Sequence, residues 1–185
     1  MSEQMSEERN KIDEYLNVIQ NRIVEPIQKS DMRQYCTATL LLLFAAIDGL
    51  GKLIHDDDKA GSNERIRAFL DCMGDNYRKR KKELLDLRHS LVHNAINVAS
   101  FMSQTEMGSD QHLKRMGSGG FLYVNTTIMY HDFVRAFKRL REEFENDEAK
   151  MSRAAQRLEW KEADDESQHM DYGTPPPPVQ FIWAK

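Results

Sequence analysis

The sequence predicts an all-α fold, an up-and-down helical bundle with a small β-hairpin inserted before the last long helix. Over most of the chain, apolar residues recur at three- and four-residue spacing, which is typical of helices that bury one face. The segment 40–47 is apolar on every side and predicts a central, buried helix. Only 96–104 and 121–129 carry a β-prone pattern, so we place the hairpin insertion at about 96–129.

Two helices are predicted in the first third of the chain. Apolar residues recur at helical spacing over 7–28, where Pro26 is expected to kink or end the helix because proline removes an internal hydrogen bond. The second helix spans about 32–54 and carries Gly49 and Gly51 near its end. A glycine inside a helix costs roughly 1 kcal/mol relative to alanine. We therefore expect another helix to approach closely at these two residues.

Three further helices and the hairpin are predicted to follow. A short helix over about 64–73 ends by Gly74, and a longer one spans about 75–94. The Gly-rich segment 117–120 lacks the lysine and hydroxyl residue that end a phosphate-binding loop, so it is expected to form a flexible hairpin tip. The apolar spacing becomes helical again from 132 to about 158, which predicts one long last helix.

The length suits one helical domain at 1–160 and an extension at 161–185. A chain of 185 residues can bury a full core, and 40% apolar with 30% charged residues is ordinary for a soluble protein. The extension is acidic and Pro-rich, and its apolar segment 179–183 is expected to dock on the domain or on a partner.

A cytoplasmic location is predicted, with no membrane partner. Cys36 and Cys72 have no paired spacing, which is typical of reduced thiols. The N-terminus is polar and acidic, unlike a signal peptide, and the apolar run 40–47 is too short to span a bilayer.

Charge is distributed unevenly along the chain. The formal net charge of −4 gives no general attraction for nucleic acid. Residues 64–94, however, contain eight Lys or Arg and five Asp or Glu, whereas 142–171 contain four and eleven. The excess of positive charge therefore lies around Arg88.

Arg88 is the first candidate site residue. On a helix it falls in the middle of an apolar arc that includes Leu84, Leu87 and Leu91. A guanidinium keeps its charge, and burying it without a partner is very costly. We therefore expect Arg88 in a cleft, at an interface or beside an anionic ligand. His93 falls on a different face, so joint action requires the helix to end or bend there, or a second chain to contribute.

Five consecutive basic residues precede Arg88 by up to three turns of the predicted helix: Arg78, Lys79, Arg80, Lys81 and Lys82. Such a run is commonly a solvated helix face. It also suits the guidance of a polyanion toward Arg88, because attraction to phosphate dominates the affinity of proteins for RNA. The second interpretation predicts an RNA-binding role for these residues.

The segment around Arg88 resembles the HEPN superfamily. Its hallmark is an arginine followed after four to six residues by a histidine, with a polar residue directly behind the arginine. Here these are Arg88, His93 and His89. As in that family, the pattern lies at the end of a helix that follows a buried apolar one, and 42–53 is similar to this preceding core helix. The resemblance covers roughly 32–140.

The resemblance implies a homodimer whose two motif helices meet and form a cleft lined by two Arg/His pairs. It implies a metal-independent endoribonuclease that needs no cofactor, with RNA as substrate and Arg88, His93 and His89 as catalytic residues. Many such proteins are toxins or defence proteins, so an antitoxin or a defence partner is expected. Some toxin members carry a modified tyrosine two residues after the histidine. Ala95 stands there in this chain, so control at that position is not expected.

The residue types suit RNA cleavage on physical grounds. RNA carries its own nucleophile, the 2′-hydroxyl, and an imidazole can remove its proton or protonate the leaving oxygen. A guanidinium can bind the developing phosphorane charge through two parallel hydrogen bonds. The sequence shows no zinc spacing, nucleophile elbow or dinucleotide fingerprint, and the acidic triplet 56–58 lacks the spacing of a calcium loop. We therefore predict no metal or cofactor.

The same residues also fit structural roles. Arg88 could form a fixed ion pair with Asp48, and Asp48 could instead pair with Lys52 on its own helix. His93 could bind the last carbonyls of its helix, where Asn94 is suited to cap it. Asp48 and Asn94 are therefore candidate supporting residues. With these roles, the chain would be a catalytically silent HEPN-fold dimer that binds a nucleotide, RNA or a partner protein.

Overall fold

The computed structural model describes residues 3–29, 36–93, 101–103, 109–118 and 120–158. The candidate Asn94, the position of Ala95 and the predicted extension 161–185 lie outside the described residues. The helices are α1 (Glu3–Ile19), α2 (Glu25–Lys29), α3 (Cys36–Ile54), α4 (Ser62–Met73), α5 (Asp75–Lys79), α6 (Lys81–His93), α7 (Thr126–Asn146) and α8 (Glu148–Leu158). The strands are β1 (Phe101–Ser103), β2 (Arg115–Met116) and β3 (Phe121–Val124). The predicted helical fold with a small β-hairpin before the last long helices is confirmed.

The first predicted helix is interrupted just before its proline. A π-helical turn, Gln20–Val24, joins α1 to α2, and Pro26 is the second residue of α2. Because proline cannot donate a hydrogen bond and its ring crowds the preceding turn, the helix widens there. The helix is thus irregular just before Pro26, and it does not end there, because the chain stays helical to Lys29.

Helix α3 is the central helix, as its continuous apolar run predicts. It packs against α4, α6, α7 and α8, and its buried residues include Leu43, Ile47 and Leu50. By length and composition alone α3 could span a membrane, but half of this segment is buried inside the protein. The core helix of a soluble protein passes the same test.

The two helical glycines lie where neighbouring elements approach α3, as expected. A Cβ on Gly51 would overlap the backbone carbonyl of Arg65 in α4, and a Cβ on Gly49 would overlap the hydroxyl of Tyr15 in α1. The backbones of α3 and α4 can therefore come together only because position 51 has no side chain.

The predicted helix 75–94 is wrong in one respect, because it is divided into α5 and α6. The division lies at Arg80, whose φ of −115° and ψ of 14° interrupt the helix. The Arg80 guanidinium donates to the carbonyl of Leu113, 3.2 Å away, and to Glu83. A tertiary contact of Arg80 thus accompanies a break that no glycine or proline marks.

The pairing predicted for the β-strands also needs correction. The antiparallel partner of β3 is β2, which lies in the segment between the two predicted strands, and 117–120 connects the two. Strand β1 lies on the other side of β3 and pairs with it in parallel, Met102 opposite Tyr123. Residues 126–129 are helical, because the side chain of Asn125 accepts the N–H of Ile128 and caps α7.

The predicted last helix is two helices that meet at Asp147. The side chain of Asp147 accepts the N–H of Lys150 at 2.9 Å and so caps the start of α8. Helix α8 then packs against α1 and α3, with Met151, Ala154 and Ala155 buried. The beginning and end of the described helical domain are therefore in contact.

Because Gly51 lies against the backbone of α4, we expect alanine at this position to destabilise the protein, although alanine normally stabilises a helix relative to glycine. In an open helix, Gly51→Ala would raise the free energy of unfolding by about 1 kcal/mol through helix propensity. We expect it to fall by about 1–3 kcal/mol, because the methyl group overlaps the Arg65 carbonyl.

Urea denaturation followed by circular dichroism measures this change. Gly61→Ala is the control for an added methyl group without overlap, because a Cβ there meets its nearest atom, in the Glu64 side chain, at 3.4 Å. Gly61 is the N-cap of α4, so this variant should lose only the roughly 0.5–1 kcal/mol of a poorer cap. Greater stability of Gly51→Ala than of the wild type would contradict the close packing.

Candidate functional site

Arg88 lies half-buried beside α4, and among the described residues its only hydrogen-bond partner is a hydroxyl. Its Nη2 donates to Oγ of Ser62 at 3.3 Å, and none of the described carboxylates pairs with it. Leu84, Leu87 and Leu91 are buried around it, as the apolar arc predicts. The permanent charge of Arg88 is therefore left without an opposing charge in this part of the chain.

Asp48 is committed to other groups. Its Oδ1 accepts from Nε of Arg65 at 2.7 Å, and its Oδ2 accepts from the Ser62 hydroxyl at 2.6 Å. The proposed ion pairs of Asp48 with Arg88 and with Lys52 are therefore wrong. Asp48 still supports Arg88 indirectly, because its bond with Ser62 orients the oxygen that Arg88 contacts.

The pair of Asp48 and Arg65 is partly buried and affects its neighbours. Its hydrogen bond raises the pKa of Arg65. Burial, and then the negative charge of Asp48, raise the pKa of Tyr15, whose hydroxyl lies against Gly49. Arg65 therefore stays protonated and Tyr15 stays neutral near neutral pH.

His89 and His93 lie side by side at the end of α6. Their ring centroids are 4.5 Å apart with an interplanar angle of 47°, and both residues are exposed. His93 is the last residue of α6, and its ring has no hydrogen bond with the described residues. Arg88 and His89 line one groove, described next, whereas His93 is not among its lining residues.

A polar groove of about 350 Å³ opens between α4 and α6. We call it the α4/α6 groove, and its lining residues are Asn63, Arg67, Lys82, Leu85, Asp86, Arg88 and His89. Arg88 thus lies in a cleft, as its position in an apolar arc predicts. Sequence reasoning missed Asn63 and Arg67, because only the packing of α4 against α6 brings them to Arg88.

Most of the basic run is paired with acidic residues of the same chain. Arg78 pairs with Asp71 and Asp75, Arg80 with Glu83, and Lys81 with Asp71 at 2.6 Å. Lys79 and Lys82 have no ion pair with the described residues, and of the five only Lys82 lines the α4/α6 groove. The RNA-binding role of the run stays a prediction, with Lys82 best placed for it.

A second polar cluster, which sequence reasoning missed, joins α5, the hairpin region and α7. The backbone N–H of Asn125 donates to Nδ1 of His112 at 3.0 Å, so the neutral ring carries its proton on Nε2. That Nε2 lies 2.9 Å from the hydroxyl of Tyr77, which in turn donates to Asp132 at 2.8 Å. Arg135 completes the chain by pairing with Asp132.

This cluster holds His112 in its neutral form. Burial lowers the pKa of His112 to about 4, although the charge of Asp132 works in the opposite direction. Burial, followed by the charge and hydrogen bond of Asp132, raises the pKa of Tyr77 far above its usual range. Because both ring nitrogens of His112 are occupied, the cluster ties three elements together and leaves no imidazole nitrogen for a ligand.

Within the described ranges, no group of three His, Cys, Asp or Glu residues is arranged to hold a metal ion. Two residues of the acidic triplet, Asp56 and Asp58, instead pair with Arg157 of α8.

Comparisons with protein-family models, with curated proteins and with solved structures give no significant match. The resemblance to the HEPN superfamily therefore depends on the residues of this chain alone and stays a prediction.

The His112 cluster predicts a pH dependence of stability. The folded-state pKa of about 4 lies below the usual value of 6.5, so the unfolded chain binds more protons between these values. The free energy of unfolding should fall as pH drops from 6.5 to 4, by up to about 1.4 kcal/mol per pH unit from this residue.

His112→Gln should show a shallower loss, because glutamine does not titrate. Urea unfolding at pH 7, 6 and 5 measures both slopes. His131→Gln, which removes an exposed histidine of α7, is the control and should match the wild type. Equal slopes for all three proteins would contradict the assignment.

Proposed function

We propose that this protein is a metal-independent endoribonuclease that acts as a homodimer in the cytoplasm. The observation that carries the proposal is the state of Arg88, which lies in an open groove beside His89 with only a hydroxyl as its partner among the described residues. A buried structural arginine would normally be paired with a carboxylate. A guanidinium that binds an anionic ligand is left without a carboxylate partner in the free protein.

The proposed role of Arg88 is to bind the phosphate that is cut. Attack on phosphorus places additional negative charge on the phosphate oxygens, and a guanidinium can meet two of them at once. The bond with Ser62 limits the rotation of the side chain, so less freedom remains to be lost when the phosphate arrives.

The two imidazoles would move the protons. One removes the proton of the 2′-hydroxyl as O2′ attacks phosphorus, and the other donates a proton to O5′ as the P–O5′ bond breaks. The products are a 2′,3′-cyclic phosphate and a 5′-hydroxyl end. His93 is proposed as the principal acid/base. His89, whose ring centroid lies 4.5 Å from that of His93, assists or orients it.

The dimer would bring two such sites together at the ends of the α6 helices. His89 and His93 are exposed, and Val92 between them is an apolar residue with half of its surface in solvent. A second α6 helix would cover Val92 and supply a second pair of histidines. A toxin or antiphage-defence setting, with an antitoxin or defence partner, is proposed from the HEPN resemblance alone.

A catalytically silent dimer that binds a nucleotide, RNA or a partner protein is the second candidate. It is favoured by the ion pairs of Arg78, Arg80 and Lys81, which reduce the positive surface available to RNA. It predicts binding without cleavage.

Incubation of the purified full chain with labelled single-stranded RNA in EDTA tests the proposal. We expect cleavage that persists in EDTA, cyclic phosphate ends by mass spectrometry, and no cleavage of a 2′-deoxy strand. His93→Ala should lower the rate about 10²–10⁴-fold. Arg88→Ala should lower it about 10²–10³-fold.

His131→Ala and Arg153→Ala replace exposed residues of α7 and α8 and should retain full activity. Circular dichroism confirms that each variant is folded. No cleavage by the wild type, cleavage abolished by EDTA, or equal rates for the wild type and His93→Ala would overturn the mechanism.

A further inference from the structure

We infer that the α4/α6 groove binds one nucleotide of a single-stranded RNA, next to the bond that is cut, and that Arg67 and Lys82 hold its phosphate. This inference deepens the proposed function and rests on it. It assigns a ligand to the groove that Arg88 and His89 also line. Of the basic run it retains only Lys82 as a main RNA contact, and it adds Arg67 from α4.

The first support is the excess of uncommitted positive charge. Arg67, Lys82 and Arg88 line the groove against a single carboxylate, Asp86. Within the described ranges, no carboxylate pairs with any of these three cations, not even Asp86 one helical turn from Lys82. A net positive groove on a chain of net charge −4 is a local attraction for an anion.

The contrast with neighbouring basic residues strengthens this point. Arg65, two residues before Arg67, is bound to Asp48 at 2.7 Å, and Arg78 and Lys81 are bound to Asp71. Lys79 outside the groove also has no ion pair with the described residues, so what distinguishes the groove is that three such cations line it together. An anion bound in the groove would supply the opposing charge that these three cations lack among the described residues.

The second support is the size and the chemistry of the groove. Its volume of about 350 Å³ lies at the lower end of the roughly 300–1,000 Å³ of small-molecule sites, which suits one nucleotide. Asn63 and Asp86 offer donors and acceptors for a base edge, and Leu85 offers an apolar contact for the base. A base can enter such a groove only when it is unpaired, so the substrate should be single-stranded.

The experiment measures binding of an uncleavable strand, so that its result does not depend on catalysis. Fluorescence anisotropy of a labelled 2′-O-methyl RNA 12-mer, single-stranded or annealed to its complement, is followed over a range of salt concentrations. Arg67→Ala and Lys82→Ala should each weaken single-strand binding about tenfold and lower the salt slope by about 0.7. Lys138→Ala is the matched control, since Lys138 is an exposed lysine of α7 and lies outside both the groove and the basic run.

Arg67→Lys and Lys82→Arg should recover most of the affinity, because they keep the positive charge. Unchanged affinity of Arg67→Ala and Lys82→Ala, equal binding of the duplex, or equal displacement by an acidic peptide would overturn the inference. Any of these results is compatible with EDTA-resistant cleavage by the wild type, so the subsite can fail while the proposed function stands. Absence of cleavage together with loss of binding in the two variants would instead leave a silent RNA-binding groove.

Discussion

The contact between α3 and α4 at Gly51 determines the geometry of the candidate site. Because Gly51 has no side chain, the backbone of Arg65 reaches that of α3. This approach brings the Arg65 guanidinium and the Ser62 hydroxyl to the two oxygens of Asp48, at 2.7 and 2.6 Å. The first turn of α4 is thereby fixed relative to the core helix, and α6 packs against both. A core contact of one glycine thus determines which groups Arg88 meets.

As a consequence, Arg65 and Arg88 have different partners. Arg65 neutralises Asp48, and Ser62 occupies the other oxygen of that carboxylate. Arg88 is therefore left with a neutral hydroxyl, although it lies half-buried among leucines. If Arg88 formed an ion pair with Asp48, its charge would be neutralised within the chain and would not be available to bind phosphate. The observed arrangement leaves Arg88 without a carboxylate partner among the described residues, in an open groove that His89 also lines, and this arrangement suits the proposed phosphate chemistry.

Sequence patterns predicted the features that depend on short-range periodicity, and missed those that depend on tertiary contacts. The burial of the leucines around Arg88, the central position of α3 and the close approach at Gly51 follow from apolar spacing and from the cost of glycine in a helix. The break at Arg80 could not be predicted, because a carbonyl from the hairpin region accompanies it and no local breaker marks it. Arg67 was missed for a similar reason, because only the packing of α4 against α6 brings it into the same groove as Arg88. The caps at Asn125 and Asp147 carry ordinary capping residues, so a closer search for N-caps would have found both helix starts.

A crystal structure of the protein with an uncleavable 2′-O-methyl RNA strand tests the central claim most directly. We expect a phosphate oxygen within hydrogen-bond distance of the Arg88 guanidinium, with a histidine of the same α6 or of the partner subunit beside the blocked O2′. The Ser62 bond with Asp48 should persist in the complex. RNA bound elsewhere, with Arg88 paired to a carboxylate of the dimer partner, would contradict the account.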